Sequence, residues 1–277
     1  MNRLLCANFS RLWKSKYFYI SVGVMFAYIA LYMGKRCWIT FADLTYQETN
    51  LESCYFRFSL VIGLFSAVFS TLFLGQEYSG GAIRNKVIAG YSRKDIYLSQ
   101  LIVVSAASLL MLLAGMAGGL VGIPVFGFWK MGTGQLFLYL LIAAMSTLVF
   151  CAVNTYINVL TQNKVRSAVL SILVFFALLF LVSKLQARLD ESDTVFSDIQ
   201  IHGDEINFLD PMPNPRYVSG AKREILDFIV DALPTGQGLR LASNEVAHPV
   251  RMLLSSAVLT VLVTFWGILR YGREDLK

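Results

Sequence analysis

The sequence predicts an all-α membrane protein with six transmembrane helices. Three observations carry that prediction. Hydrophobic residues form 56% of the 277 residues, charged ones only 15%, and the mean hydropathy is +0.58, far outside the soluble norm. A bilayer core about 30 Å thick asks ~20 apolar residues of each helical span. Six runs approach that length: 17–34, 57–74, 98–121, 136–154, 167–183 and 249–269. No ten-residue apolar–polar alternation repeats, and open strands cannot satisfy their backbone in hydrocarbon, which leaves helices.

Charge orients the spans. Segments 1–16, 75–97, 155–166 and 270–277 hold 13 bases against 4 acids, a sum of +9. The segment 185–247 holds 11 acids against 5 bases, a sum of −6. Lys and Arg collect in short cytoplasmic loops, so both termini are expected in the cytoplasm and 185–247 outside the cell. The pI of about 9.1 thus reads as membrane topology, and no nucleic-acid partner is expected.

The opening "MNRLLCANFSRLWKSK" scatters its bases and has no small-residue cleavage site, so it is expected to stay on the chain. On a helix, Leu5, Phe9, Leu12 and Trp13 share one face, with Arg3, Arg11 and Lys14 towards another. That pattern predicts an N-terminal amphipathic helix lying in the bilayer interface over 1–16. A plain positive flank to the first span is the alternative. In the third span, Gly115 with Gly119 and Gly118 with Gly122 form two small-xxx-small pairs that let helices pack closely. Asn154 and Asn158 lie on one face of the fourth span, as hydrogen-bonding glue or as a polar lining.

Catalytic patterns are missing. The two histidines, His202 and His248, are 46 positions apart, and no HExxH, CxxC or GxSxG occurs. Nor does any GxxxxGK[ST] loop: Gly80, Gly81 and Lys86 have the wrong spacing to cradle phosphates. The chain is therefore not expected to be an enzyme or to bind a metal or cofactor of its own. Spans without midplane charge also argue against an ion-coupled carrier.

Against this apolar background "GQEYSGGAIRNKVIAGYSRKDIY", residues 75–97, is a polar island with two acids and four bases. Gly75 opens it and Glu77 is placed near a helix start. "IRNKVI" reads as a short helix stopped by Gly90, and Ser92 with Asp95 three residues on forms a capping box. A short cationic helix between two hinges, lying across the inner membrane face, suits docking onto a cytoplasmic protein. A solvated positive loop is the alternative.

The stretch "LGQEYSGGAIRNKVIAGYSRKDIYLSQL" resembles the loop after the second span in type-2 ABC exporter permeases of bacteria. Their pattern runs Gly-x-Glu-Tyr-x-x-Gly-Thr-Ile-Arg-x-Lys, then Gly-x-Ser-Arg. Gly75, Glu77, Tyr78, Gly81, Ile83, Arg84, Lys86, Gly90, Ser92, Arg93 and Tyr97 match it. Ala82 and Gln100 stand where Thr and Lys are usual, and neither departure is expected to alter the charge logic of the turn. The opening "LLCANFSRLWKSKYF", the closing "FWGILRYGREDLK" and "LPTGQGLRLA" before the last span are also similar to the family. The resemblance implies a permease in the bacterial cytoplasmic membrane, paired with an identical or homologous second permease and two copies of a separate ABC ATPase. ATP and Mg would bind that ATPase. The island would be its coupling segment, including Tyr78, with Glu77 anchoring its start, Arg84, Lys86 and Arg93 engaging the ATPase or neighbouring inner helices, and the N-terminal helix also touching the ATPase. Reversing Glu77 or Arg84 is expected to loosen docking while leaving insertion intact.

The long outer loop, 185–247, holds Pro211, Pro213 and Pro215 in an extended stretch. It then offers an amphipathic helix, "KREILDFIVDALP", with Ile225, Leu226, Ile229, Ala232 and Leu233 apolar and Glu224, Asp227 and Asp231 opposite. Its apolar face is expected to cap the outer mouth of the transport path. Its acidic face would be solvated or would attract a cationic peptide. Cys37 and Cys54 share the first outer loop, 17 positions apart, and a disulfide there would be worth ~3 kcal/mol in the loop-entropy picture. The alternative is that they act as small apolar residues. Two functions follow: export of an amphipathic or hydrophobic substrate, such as an antimicrobial or other peptide, or a non-transporting sensor or assembly subunit sharing the fold.

Overall fold

The computed structural model describes residues 1–42, 50–196, 199–202, 205–208 and 211–273. In chain order it forms α1 (Asn2–Lys14), α2 (Lys16–Ala42), α3 (Glu52–Tyr55), α4 (Phe58–Ser79), α5 (Ala82–Ile88) and α6 (Arg93–Gly119). A 3₁₀ turn leads into α7 (Ile123–Phe126), then α8 (Thr133–Thr161) and α9 (Lys164–Leu189). After four short strands come α10 (Ala221–Ala232), α11 (Pro234–Ser243) and α12 (Pro249–Arg273). Among the described residues six helical stretches are long and apolar enough to cross a membrane, namely α2, α3–α4, α6–α7, α8, α9 and α12. The strands make two antiparallel pairs, β1 (Thr194–Phe196) with β4 (Pro211–Pro213) and β2 (Ile199–His202) with β3 (Glu205–Phe208). The closing residues 274–277, part of the basic tally and of the family-like ending, lie outside the described residues.

Helices overrun the apolar runs because their polar ends find partners. α4 carries Gln76, Glu77 and Tyr78 in its last turns, so Glu77 sits inside the second span and not at the start of the island. α6 starts at Arg93, where the Ser92 hydroxyl accepts from the Asp95 amide at 3.1 Å, the predicted N-cap.

α4 is the hub of the bundle. It packs on α2, α6, α8, α9 and α11, and Phe58, Ile62, Phe69 and Leu74 are fully buried. By contrast, α9 exposes Leu173, Phe176 and Phe180, and α12 exposes Val258, Val261 and Phe265, apolar faces with no partner helix in the bundle. A polar seam crosses the interior. Asn154 donates to the Ser66 hydroxyl at 3.4 Å, Ser108 to Ser66 at 3.1 Å, and Asn158 to the Asn154 carbonyl at 2.8 Å. Asn154 therefore joins α8 to α4, while the Asn158 bond stays within α8.

The four glycines of the third span, three in α6 and Gly122 in the 3₁₀ turn after it, face different neighbours. A Cβ on Gly115 would meet Met25 and Phe58, one on Gly119 the Tyr55 ring, and one on Gly122 the Met33 side chain. At Gly118 it would lie 2.7 Å from the Phe26 carbonyl oxygen, so backbone meets backbone there. Side chains can yield, whereas a helix must shift as a whole. Gly118→Val is expected to cost about 3 kcal/mol, at the upper end for overpacking. Gly23→Ala, where nothing lies within 4 Å, is the neutral control. Thermal unfolding of the purified variants in detergent checks both.

The two ends of the bundle differ. α1, α5, the start of α6 and the end of α12 meet at one, around Leu4, Ile83, Ile96, Tyr97, Val159 and Tyr271. This is the basic end. At the far end α11 enters the bundle between α4, α8 and α9, with most of its residues buried. Gly238 lets it approach closely: a Cβ there would lie 2.6 Å from the Ser59 carbonyl oxygen, and the Ser59 hydroxyl donates to the Gly238 carbonyl at 3.0 Å.

α10 lies against α9, α11 and α12, and it overturns the expected orientation of its faces. Leu226 and Leu233 pack beside Val182 and Leu189 as expected, but Ile225 is exposed. Asp231 is buried, and Asp227 turns towards α11 and α12 while Glu224 stays in solvent. Arg240 and Arg251 draw the two acids inward.

Candidate coupling site at the basic end

The last turn of α4 places Glu77 where α1, α5 and α6 converge, and leaves it only 2% exposed. Its Oε1 forms ion pairs with Arg11 of α1 and, at 2.5 Å, with Lys86 of α5. Its Oε2 accepts from the Gln100 side chain of α6 at 2.7 Å. Lys86 also donates to Asn8 Oδ1 at 3.0 Å, and Asn8 Nδ2 donates to the Ser99 hydroxyl at 3.1 Å. The Tyr78 hydroxyl donates to Gln100 Oε1 at 3.4 Å. One carboxylate thus fastens four helices.

Burial in such a site is costly unless every lone pair is met. Here both oxygens are met, and Arg11 adds a second anchor, its guanidinium 3.9 Å above the Phe73 ring. Burial pulls the Arg11 pKa below its ordinary value, against the opposing pull of Glu77. Losing one partner of a buried pair typically costs ~3–5 kcal/mol, because the survivor is left uncompensated.

The predicted contact residues separate into two groups. Glu77 and Lys86 are turned into the hub and are not offered to a partner. Lys86 engages a neighbouring inner helix, the second of its two expected places, through the buried carboxylate nine positions away. Tyr78 is partly buried and packed against the core. Arg93 donates to the Tyr271 carbonyl at 3.2 Å and so binds α6 to α12. Arg84 points outward with Asn85, and Ile88 beside them is 75% exposed. Gly81 (φ +68°) and Gly90 (φ +84°) bracket α5 in the left-handed backbone region, Gly90 being the expected stop.

α1 buries a stripe against the bundle beside the face expected in the bilayer interface. Its buried stripe is Leu4, Asn8 and Leu12, with Leu5 and Phe9 only partly covered and Trp13 exposed at 52%. A polar residue at the centre of that stripe hid it, since Asn8 earns its burial from Lys86 and Ser99. Asn8, Arg11, Ser99 and Gln100 are the site residues that sequence reasoning missed. Gln100 touches Glu77 directly, so its departure from the usual Lys does alter the charge of this turn.

At the far end a second cluster forms around Asp227 and Asp231. Arg240 pairs with Asp227 at 2.5 Å and lies 3.7 Å from Asp231. Arg251 binds both acids, Asp231 through Nε at 2.8 Å. Asp227, Asp231 and His248 bring ligand atoms within 4.8 Å of one another, the geometry of a metal group. Both carboxylates already receive guanidinium hydrogens, so an ion would have to displace two arginines. The Cys37–Cys54 bridge is not formed in this structure: both are free thiols. α2 runs on to Ala42 and holds Cys37 on a helix, while Cys54 points into the core.

Comparison with protein families matches the chain to a family described as "ABC-2 family transporter protein" over residues 4–182, more than half of the chain. That span includes every residue of the Glu77 hub. Among curated protein sequences none matches the chain. With six membrane-spanning helices and this match, the chain belongs to the ABC-2 transporter family, as a multi-pass permease subunit of an ABC transporter.

Proposed function

We propose that the basic end faces the cytoplasm and that the outward faces of α5 and α1 seat an ABC ATPase subunit. The observation that carries this reading is the division of labour on α5. Arg84 and Ile88 face out, while Ile83 and Lys86 tie the same short helix to the body. A partner that pulls on α5 therefore pulls on α4 through Glu77 and on α1 through Asn8 and Arg11. Two ATPase copies, carrying ATP and Mg, and a second permease, identical or homologous, would complete the transporter in the cytoplasmic membrane. Its cargo would be an amphipathic or hydrophobic compound, with an antimicrobial or other peptide as the favoured class, moved outward.

Arg84→Glu tests this. Arg84 is exposed and forms no ion pair among the described residues, so the fold should be unaffected. Co-purification of a co-expressed ABC ATPase is expected to fall at least about tenfold, as for loss of ~1.4 kcal/mol of contact energy. Undiminished association of Arg84→Glu combined with Ile88→Asp would place the ATPase elsewhere.

A further inference from the structure

A cavity of about 460 Å³ lies at the elbow between α1 and α2, against the last turns of α4. Arg11 and Lys14 line it from α1, Lys16, Tyr17 and Ile20 from α2, and Phe73 from α4. Three of the wall residues are bases and none is an acid. A fourth base, Lys164 of α9, stands beside it, with its ammonium 5.6 Å from the centre of the Tyr17 ring. Arg11 already serves Glu77, but Lys14 and Lys16 are exposed and form no ion pair among the described residues. The elbow is held in shape from outside the cavity. The Tyr19 hydroxyl donates to the Trp13 carbonyl at 3.0 Å, and Trp13 packs edge-on against Phe18 with ring centres 5.6 Å apart.

Beyond the bases the surface turns apolar. α2 begins its membrane-spanning stretch at Lys16, and Ile20, Val24 and Leu31 continue from the cavity along one exposed face of it. The 11 positions from Ile20 to Leu31 rise ~17 Å, about half of the ~30 Å hydrocarbon core. The stripe is one leaflet deep. We propose that the elbow binds one anionic phospholipid, its headgroup phosphate among Arg11, Lys14 and Lys16 and an acyl chain along Ile20, Val24 and Leu31. Gathered cations with no acid among them call for an anion. The stripe calls for that anion to carry a chain. A zwitterionic headgroup brings its own ammonium towards the same lysines. A free phosphate would meet the bases but leave the stripe uncovered, and so would an acidic protein segment. The site shares Arg11 alone with the Glu77 hub, so it does not depend on where an ATPase docks.

The test uses the full chain in phosphatidylcholine nanodiscs doped with pyrene-acyl phosphatidylglycerol, read by energy transfer from tryptophan, with pyrene-acyl phosphatidylcholine as control. Transfer to the glycerol lipid is expected to saturate at low mole fraction, while transfer to the choline lipid rises only in proportion to dose. In the double variant Lys14→Gln with Lys16→Gln, half-saturation should need at least about tenfold more phosphatidylglycerol, from two lost surface cations. Both side chains are exposed, so the melting temperature should not change. Equal half-saturation in the double variant, or one curve for both probes, overturns the proposal. Displacement of the labelled lipid by excess inorganic phosphate overturns the lipid as source in favour of a free phosphate. A double variant that keeps lipid saturation but loses a co-expressed ATPase assigns the bases to an acidic protein surface. Unchanged lipid saturation in Arg84→Glu with the ATPase lost supports two separate sites.

Discussion

Glu77→Lys is expected to remove folded protein from the membrane, not only to loosen docking. The new ammonium would face Arg11 and Lys86 in a site where the carboxylate is 2% exposed. Both ion pairs are lost and three like charges share one pocket, so the penalty should exceed the ~3–5 kcal/mol of a single broken buried pair. That is a large part of the ~5–15 kcal/mol that holds a typical domain. The structure thereby corrects the expectation that reversing this charge spares insertion. Yield of monodisperse protein and its melting temperature are the measurements. Glu77→Gln should fall in between, since it keeps the shape but not the charge. Adding Lys86→Glu to Glu77→Lys should restore part of the yield by rebuilding one pair. Wild-type yield and melting for Glu77→Lys would show that the hub does not hold the helices.

Arg251→Ala should have the largest effect at the far end. Its guanidinium serves two acids at once, and without it Asp231, its side chain 2% exposed, keeps Arg240 at 3.7 Å and the exposed His248 ring at 3.6 Å. A loss of ~3–5 kcal/mol is expected, again the cost of an orphaned buried charge. α10 and α11 should come away from α12, read out as faster proteolysis within 215–247. Arg251→Lys should rescue little, because a point charge cannot serve two carboxylates as a fork does. The pH dependence follows from Asp227. Burial pushes its carboxyl up, but Arg251 and Arg240 pull harder and hold it below the ordinary value. A depressed carboxyl stabilises above its unfolded pKa, about 3.9, and loses that contribution as pH falls through the folded value. The difference between wild type and Arg251→Ala should therefore persist from neutral pH down to about 4 and shrink below it. Resistance of the variant to protease at neutral pH would count against the latch.

Much of this architecture was legible in the sequence. Hydropathy located six spans because lipid demands long apolar helices, and Ser92 marked the start of α6 through its own cap. The ends of spans were less legible. Glu77 and Gln100 look like loop and flank residues until each is seen to satisfy the other. The same limit concealed α10. Asp227 and Asp231 read as a solvated face because their partners, Arg240 and Arg251, come 9 to 24 positions later, beyond any helical period. Periodicity sees one helix at a time, and these sites are made between helices.

α4 reaches both ends of the molecule. Ser59 near its start grips α11, and Glu77 in its last turn grips α1, α5 and α6. The 18 positions between them span ~27 Å at 1.5 Å of rise per residue. A stiff rod of that length, pivoting about its middle, behaves as a seesaw: a tilt of ~10° carries each tip ~2 Å in opposite directions. That is enough to part a hydrogen bond at either tip. A partner that favours one tilt at the basic end would therefore bias the α4–α11 contact at the far end, and by reciprocity anything that favours the same tilt from the far end would strengthen that partner's binding by the same factor.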